Sequence, residues 1–223
     1  MDGGWLMVKT TAENLFTPDE RERIRVAVAA VERTTAGEVA TMMVDASDSY
    51  REAEHLGALF LSGFVALLVA VATHHVTIWS YLPLVLLHYF PCVVLLRRIP
   101  RLLLPFVGRR RLAEAVRERA VRAFFEKGLY RTREETGILI FISLLERKVW
   151  ILGDRGIDRK IPPETWERFV TELTAGLRAG RAADALCSVI AGCGRLLAEH
   201  FPRRADDVNE LPDTVLTESR PTP

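Results

Sequence analysis

The chain has 223 residues, of which 49% are apolar and 26% charged, and its formal net charge is +1. That length holds one ordinary domain plus something more, and the near-balanced charge excludes the electrostatic footprint of a nucleic-acid or acidic-substrate binder. Three cysteines, Cys92, Cys187 and Cys193, are too few and too poorly spaced for a disulfide framework or a zinc site, so each reads as a small buried hydrophobe.

Met1 to Phe16 carries no apolar core of a signal peptide, so the first apolar segment downstream is expected to act as the insertion signal. Thr17-Pro18-Asp19-Glu20 predicts a helix start, with Thr17 as cap, Pro18 at the first helical position and Glu20 closing a capping box. Ile24, Val28 and Val31 give that helix one apolar face, and Gly37 ends it. Glu38 to Val44, rich in β-branched and apolar residues, predicts the first strand; Asp45-Ala46-Ser47-Asp48 closes it and is expected to cap the next helix.

From His55 to Leu96 the chain contains no Asp, Glu, Lys or Arg. A run of about forty such residues is twice what one helix needs to cross a hydrocarbon core of roughly 30 Å. Thr73-His74-His75 divides it into spans of about 56–73 and 76–96, a transmembrane hairpin. Too few residues remain elsewhere to bury two fully apolar helices in a soluble core. Ser62, Ala66 and Ala70 recur every four residues, a small-residue stripe for close helix packing, and Pro83 and Pro91 are expected to kink the second span. The short turn lacks Lys and Arg, whereas Arg97, Arg98, Arg101, Arg109, Arg110 and Arg111 follow the second span. The positive-inside bias therefore places both termini and the soluble domain in the cytoplasm, with the arginines on lipid headgroups and 98–107 as a basic interfacial segment. His74, His75 and His88 lack carboxylate companions and read as ordinary interfacial or hydrogen-bonding residues.

Leu112 to Lys127 predicts a helix stopped by Gly128. Ile138 to Ile142 is apolar on both faces and predicts a central strand; Leu144 to Arg147 turns the chain, and Lys148 to Leu152 returns antiparallel. Gly153-Asp154-Arg155-Gly156 reads as a tight loop, followed by helices over 164–178 and 182–200. The fold class is therefore α/β, a short mixed sheet sandwiched between helices and interrupted by the two-helix hairpin. Residues 1–54 and 108–202 form one discontinuous domain around the hairpin at 55–97, and 203–223 is expected to lack regular structure.

Thr35-Ala36-Gly37-Glu38-Val39, Thr136 to Ser143, Glu146-Arg147-Lys148-Val149 and Ile151 to Ile157 together resemble the TPM-domain family. Trp166, Gly180 and Asn209-Glu210-Leu211-Pro212-Asp213 are similar to a bacterial branch of it. The resemblance implies a mixed sheet between helices and a membrane-attached protein. Some relatives bind calcium or show acid phosphatase activity in thylakoids, and others are linked to assembly or repair of membrane complexes. This chain departs from the family in its mid-domain anchor and in Arg133-Glu134-Glu135-Thr136-Gly137, which replaces an aspartate- and asparagine-rich loop.

No nucleophile elbow, Walker loop, dinucleotide glycine pattern or metal-spaced Cys/His set is present. The acidic residues Glu38, Asp45, Asp48, Glu134, Glu135 and Asp154, with Asp158 nearby, are a candidate oxygen set for a hard cation, Ca or Mg, if adjacent strands bring their loops together. Against this, single acids at loop starts serve as caps or solvated charges. Glu38 stands out beside an apolar strand, with a buried salt bridge to Arg147 or Arg155 as its structural alternative. The leading reading is a non-enzymatic, membrane-anchored interaction module for a membrane-protein complex. It sits in the inner or plasma membrane, with the bilayer and another membrane protein or itself as partners. The alternatives are a divalent-metal-dependent acid phosphatase and a lipid-surface sensor.

Overall fold

The computed structural model describes residues 11–74, 77–132, 135–203 and 215–219. They divide into two compact units, one built from residues 1–47 and 115–223 and the other from 48–114.

The first unit is organised by a four-stranded sheet in the order β3-β2-β1-β4, with β1 at Glu38–Val44, β2 at Gly137–Ser143, β3 at Lys148–Gly153 and β4 at Leu216–Glu218. β1 pairs in parallel with β2 and with β4, and β3 returns antiparallel to β2. Every residue of β1 and β2 is buried, because helices cover both faces. Val39, Met43, Ile138, Ile140 and Ile142 face one core, filled by α1 (Pro18–Glu32), α6 (Pro163–Arg178) and α7 (Ala182–His200). Ala40, Met42, Leu139 and Phe141 face the other, filled by Val116, Ala120, Ala123 and Phe124 of α4 (Arg109–Glu126). The period-2 alternation of side chains thus feeds two cores from the same strands.

Local chemistry explains the element ends. The Thr17 hydroxyl accepts from the Glu20 N–H at 3.3 Å while the Glu20 carboxylate accepts from the Thr17 N–H at 2.8 Å, completing the capping box. Cys193 of α7 is fully buried, and burial pushes its thiol up to about 12, so it behaves as a core apolar group.

Three expectations are corrected. The tail is not without regular structure throughout: Leu216–Glu218 forms β4, because the exposed edge of β1 offers unpaired backbone groups that a third parallel strand satisfies. Asn209 to Asp213 lies outside the described residues. The loop at Gly153–Gly156 is a helical turn, α5 (Arg155–Asp158), because the Asp154 carboxylate accepts from the Arg155 N–H at 2.8 Å and starts it. The helix after β1 is not capped by Asp45–Asp48; its N-cap is Tyr50, at φ 50° and without a side-chain cap.

The second unit contains the two apolar helices, α2 (Arg51–Ala72) and α3 (Ile78–Arg98), packed on each other, then a 3-10 segment at Pro100–Phe106. α3 runs as one helix through Pro83 and Pro91. His75 and Val76 lie outside the described residues.

Gly137 starts β2 where no side chain fits: a Cβ there would sit 2.5 Å from the Leu129 carbonyl oxygen. Gly137→Ala is expected to destabilise the α/β unit by about 1–3 kcal/mol, read as a lower midpoint in thermal unfolding of the detergent-solubilised chain. An unchanged midpoint would mean the backbone yields freely at this position.

Candidate functional site

In the α2–α3 unit, the small-residue stripe packs within one hairpin. Ser62, Ala66 and Ala70 are 0–1% exposed, buried in a unit whose dominant packing is α2 on α3. Polar links tie the same two helices: Tyr81 Oη donates to the Gly63 carbonyl at 3.2 Å, and His55 Nδ1 lies 2.8 Å from Tyr89 Oη. At the charged end, Glu54 is buried and its Oε1 takes Arg97 Nε at 2.6 Å. The sequence reading missed Glu54 because it lies one residue before the charge-free run; its position one helical turn before Ala58 and two before Ser62 was the available signal.

The six arginines therefore do not act alike. Arg97 pairs with Glu54, Arg110 with Glu114 at 2.8 Å and Arg111 with Asp48 at 2.7 Å. All six side chains are exposed, so these pairs leave the basic surface open. The intervening 3-10 segment does not simply lie at a surface: Leu103 is fully buried with Ala58, Cys92, Val93 and Leu96, while Leu102 and Phe106 stay open to solvent.

In the α/β unit the candidate acidic set separates. Parallel pairing aligns Glu38 with Gly137 and Val44 with Ser143, so Asp45 leaves one end of the sheet and Glu135 precedes the other. Seven paired residues set those ends about 20 Å apart. Asp45 accepts from the Ala12 N–H at 2.6 Å, and Asp154 caps α5. Glu135, at φ 55°, lies 3.6 Å from Arg159, and Glu38 is buried beside the same end. Asp48 belongs to the other unit, bound to Arg111 there. Glu134 lies outside the described residues. The condition that adjacent strands bring Asp45 toward Glu135 and Asp154 is not met, because the parallel strand direction sends Asp45 to the opposite end of the sheet. Among the described residues, no three His, Cys, Asp or Glu side chains gather around a common point.

At the carboxyl ends of β1 and β2, where ligands of open α/β sheets commonly bind, a polar network escaped the sequence reading. Ser143 Oγ donates to Glu146 Oε2, Ser47 Oγ donates to Ser143 Oγ at 2.8 Å, and the Ser47 N–H donates to Glu146 Oε1 at 3.0 Å. Both carboxylate oxygens are occupied and Ser143 is fully buried, so no substrate reaches that hydroxyl. The network fastens the β2–β3 turn, where Arg147 adopts φ 54°, to the segment leaving β1.

Two tests follow. Arg97→Ala leaves a buried carboxylate without its cation and is expected to cost the hairpin about 3 kcal/mol. The double variant Glu54→Gln/Arg97→Met should lose far less, both read by unfolding in detergent; equal losses would show that Glu54 is not desolvated. Burial first, then the Asp154 charge, holds the Asp158 carboxyl above its ordinary value of 3.8. The folded state keeps that proton to higher pH than the unfolded chain, so ionising Asp158 subtracts stability as pH rises above 3.8. Asp158→Asn is expected to raise the melting temperature at neutral pH and leave it unchanged well below 3.8; the reverse pattern would reject this assignment.

The family model described as the TPM domain matches residues 107–196, from the start of α4 into α7. No curated protein matches the chain. Among solved structures, the BA42 protein of the psychrophilic bacterium Bizionia argentinensis, determined by NMR, is similar at a TM-score of 0.56 and 18% identity, over 96% of this chain and 98% of that one. At that identity the likeness is one of fold, and it extends to the mixed sheet among helices described above. The chain is thus similar to the TPM domain over residues 107–196, and it shares its fold with the BA42 protein.

Proposed function

We propose that this protein is a two-span, membrane-anchored TPM module on the cytoplasmic side, serving non-enzymatically in the assembly or maintenance of a membrane-protein complex. One observation carries the anchor. α2 and α3 are long and apolar enough to cross a bilayer, with only 28% and 11% of their most apolar windows buried. Phe60, Trp79 and Phe90 are 73–86% exposed, and Leu56, Phe64, Leu86 and Leu87 more than half exposed. A core helix of a soluble protein hides such residues; here they form an outer apolar belt of the kind lipid covers.

The arginines support the orientation. Arg98 ends α3, Arg101 and Arg109 follow it, and all three are exposed, whereas His74 and Thr77 border the opposite turn without basic neighbours. Each basic side chain near an anionic leaflet contributes about 1 kcal/mol of attraction. For the soluble unit, the interaction reading is supported by how its polar groups are spent. Asp45 and Asp154 hold backbone N–H groups, and Glu146 holds two serines.

Cells expressing the chain are expected to retain it in the membrane pellet after alkaline carbonate and high salt, and protease added outside intact cells should leave the α/β unit untouched. Recovery in the aqueous fraction, or cleavage from outside, would overturn the anchor or its orientation. The purified full chain, offered a phosphate ester with Ca or Mg, is expected to show no turnover. Metal-dependent turnover abolished by Glu38→Gln or Asp154→Asn would replace the interaction reading with a phosphatase.

A further inference from the structure

β1 is buried along its whole length, yet the strand that closes its outer edge is the smallest element of the sheet. Among the described residues β4 pairs with Met42, Met43 and Val44 alone, whereas the pairing of β1 with β2 runs from Glu38 to Val44. Leu216 and Thr217 are half-buried and Glu218 is exposed. With so few buried contacts, β4 is the part of the sheet most readily released while the rest stays folded.

The contacts that hold β4 form a recognition pattern. Side chains alternate along a strand, so Leu216 and Glu218 share one face and Val215 lies on the other. Val215 packs against the core of α1, α6 and α7, and Leu216 against the core under α4. Glu218 pairs with Arg119 of α4, and the Glu218 carbonyl accepts from the Asp45 N–H at 3.1 Å. The Arg119 side chain is only 12% exposed and also holds Glu126 at 3.1 Å. Arg119 therefore keeps a carboxylate when Glu218 departs, and the edge opens without leaving a bare buried cation.

We propose that the outer edge of β1 is a strand-accepting site for a partner protein, filled in this structure by the chain's own tail. The partner it fits offers an extended, parallel segment with two adjacent apolar residues and an acid two positions after the second. Main-chain hydrogen bonds to β1 give affinity, while the two cores and Arg119 select the side chains. The inference rests on the interaction reading above and names how that partner engages. The plain alternative is that β4 only blunts an exposed edge against aggregation. That role accounts for a strand but calls for no particular acid, since Arg119 already has Glu126.

The test is fluorescence anisotropy of a labelled peptide, Thr-Val-Leu-Thr-Glu-Ser, the sequence of residues 214–219, with the full chain in neutral detergent. The wild-type chain, its edge filled, is expected to bind weakly. Glu218→Lys, at an exposed position, and Leu216→Ser each loosen the resident tail and should tighten peptide binding about tenfold. Peptides with Ser for Leu or Lys for Glu should bind the tail variants about tenfold more weakly than the parent. Arg119→Gln should erase the difference between the Glu and Lys peptides. No saturable binding to either tail variant up to about 1 mM, or affinity indifferent to both peptide changes, would overturn the proposal. A wild-type dimer that dissociates in Glu218→Lys, seen by light scattering, would overturn it too, by assigning the edge to a second copy's tail. Such failures leave the carbonate, protease and turnover results standing, whereas failure of the interaction reading shows as metal-dependent turnover.

Discussion

Backbone pairing between β1 and β2 is the constraint on which the α/β unit rests. The two strands are separated in sequence by roughly ninety residues, including both apolar helices. Closing so long a loop costs only logarithmically more than closing a short one, so the insertion is tolerated. The return comes from burial: all fourteen residues of the two strands are inaccessible, and each face has its own core. With β1 and β2 paired along their whole length and their apolar side chains divided between two cores, a shifted register would expose the same surface.

The hairpin unit follows different rules. Its outer surface is apolar and its inner seam is small, with Ser62, Ala66 and Ala70 admitting α3. Gly57 shows the same economy, since a Cβ there would stand 3.1 Å from the Phe106 ring. Into this seam the chain places one buried acid, Glu54, and answers it with Arg97 from the other helix. A buried charge with its partner is weak evidence for added stability but strong evidence for alignment, because only the correct pairing of α2 and α3 joins them.

Polar side chains in the α/β unit are committed largely to backbone ends. Asp154 starts α5, Asp45 holds Ala12, and Glu146 fastens the β2–β3 turn through two serines. Asp45 and Asp154 thus stand where a helix begins and needs an acceptor, whereas Asp48 and Glu135 face arginines. At the opening between α5 and α7, by contrast, Lys160 and Arg203 are oriented by backbone carbonyls.

By itself the amino-acid sequence determined what depends on neighbours along the chain. The capping box at Thr17, the β-branched run of β1, the doubly apolar β2 and the two apolar helices are local patterns, and their physics is complete within a few turns or residues. Only the tertiary structure decided what depends on strand direction and on partners far away. Parallel pairing of β1 with β2 sent Asp45 and Glu135 to opposite ends of the sheet. A three-residue strand from the tail found the edge of β1, and Arg97 turned to Glu54 forty-three positions earlier. Lys160 and Arg203 came to one opening through α7, whose packing against α1 and α6 no periodicity in the chain announces. A period states which face of an element is apolar; which element covers that face is settled only when all of them compete to leave water.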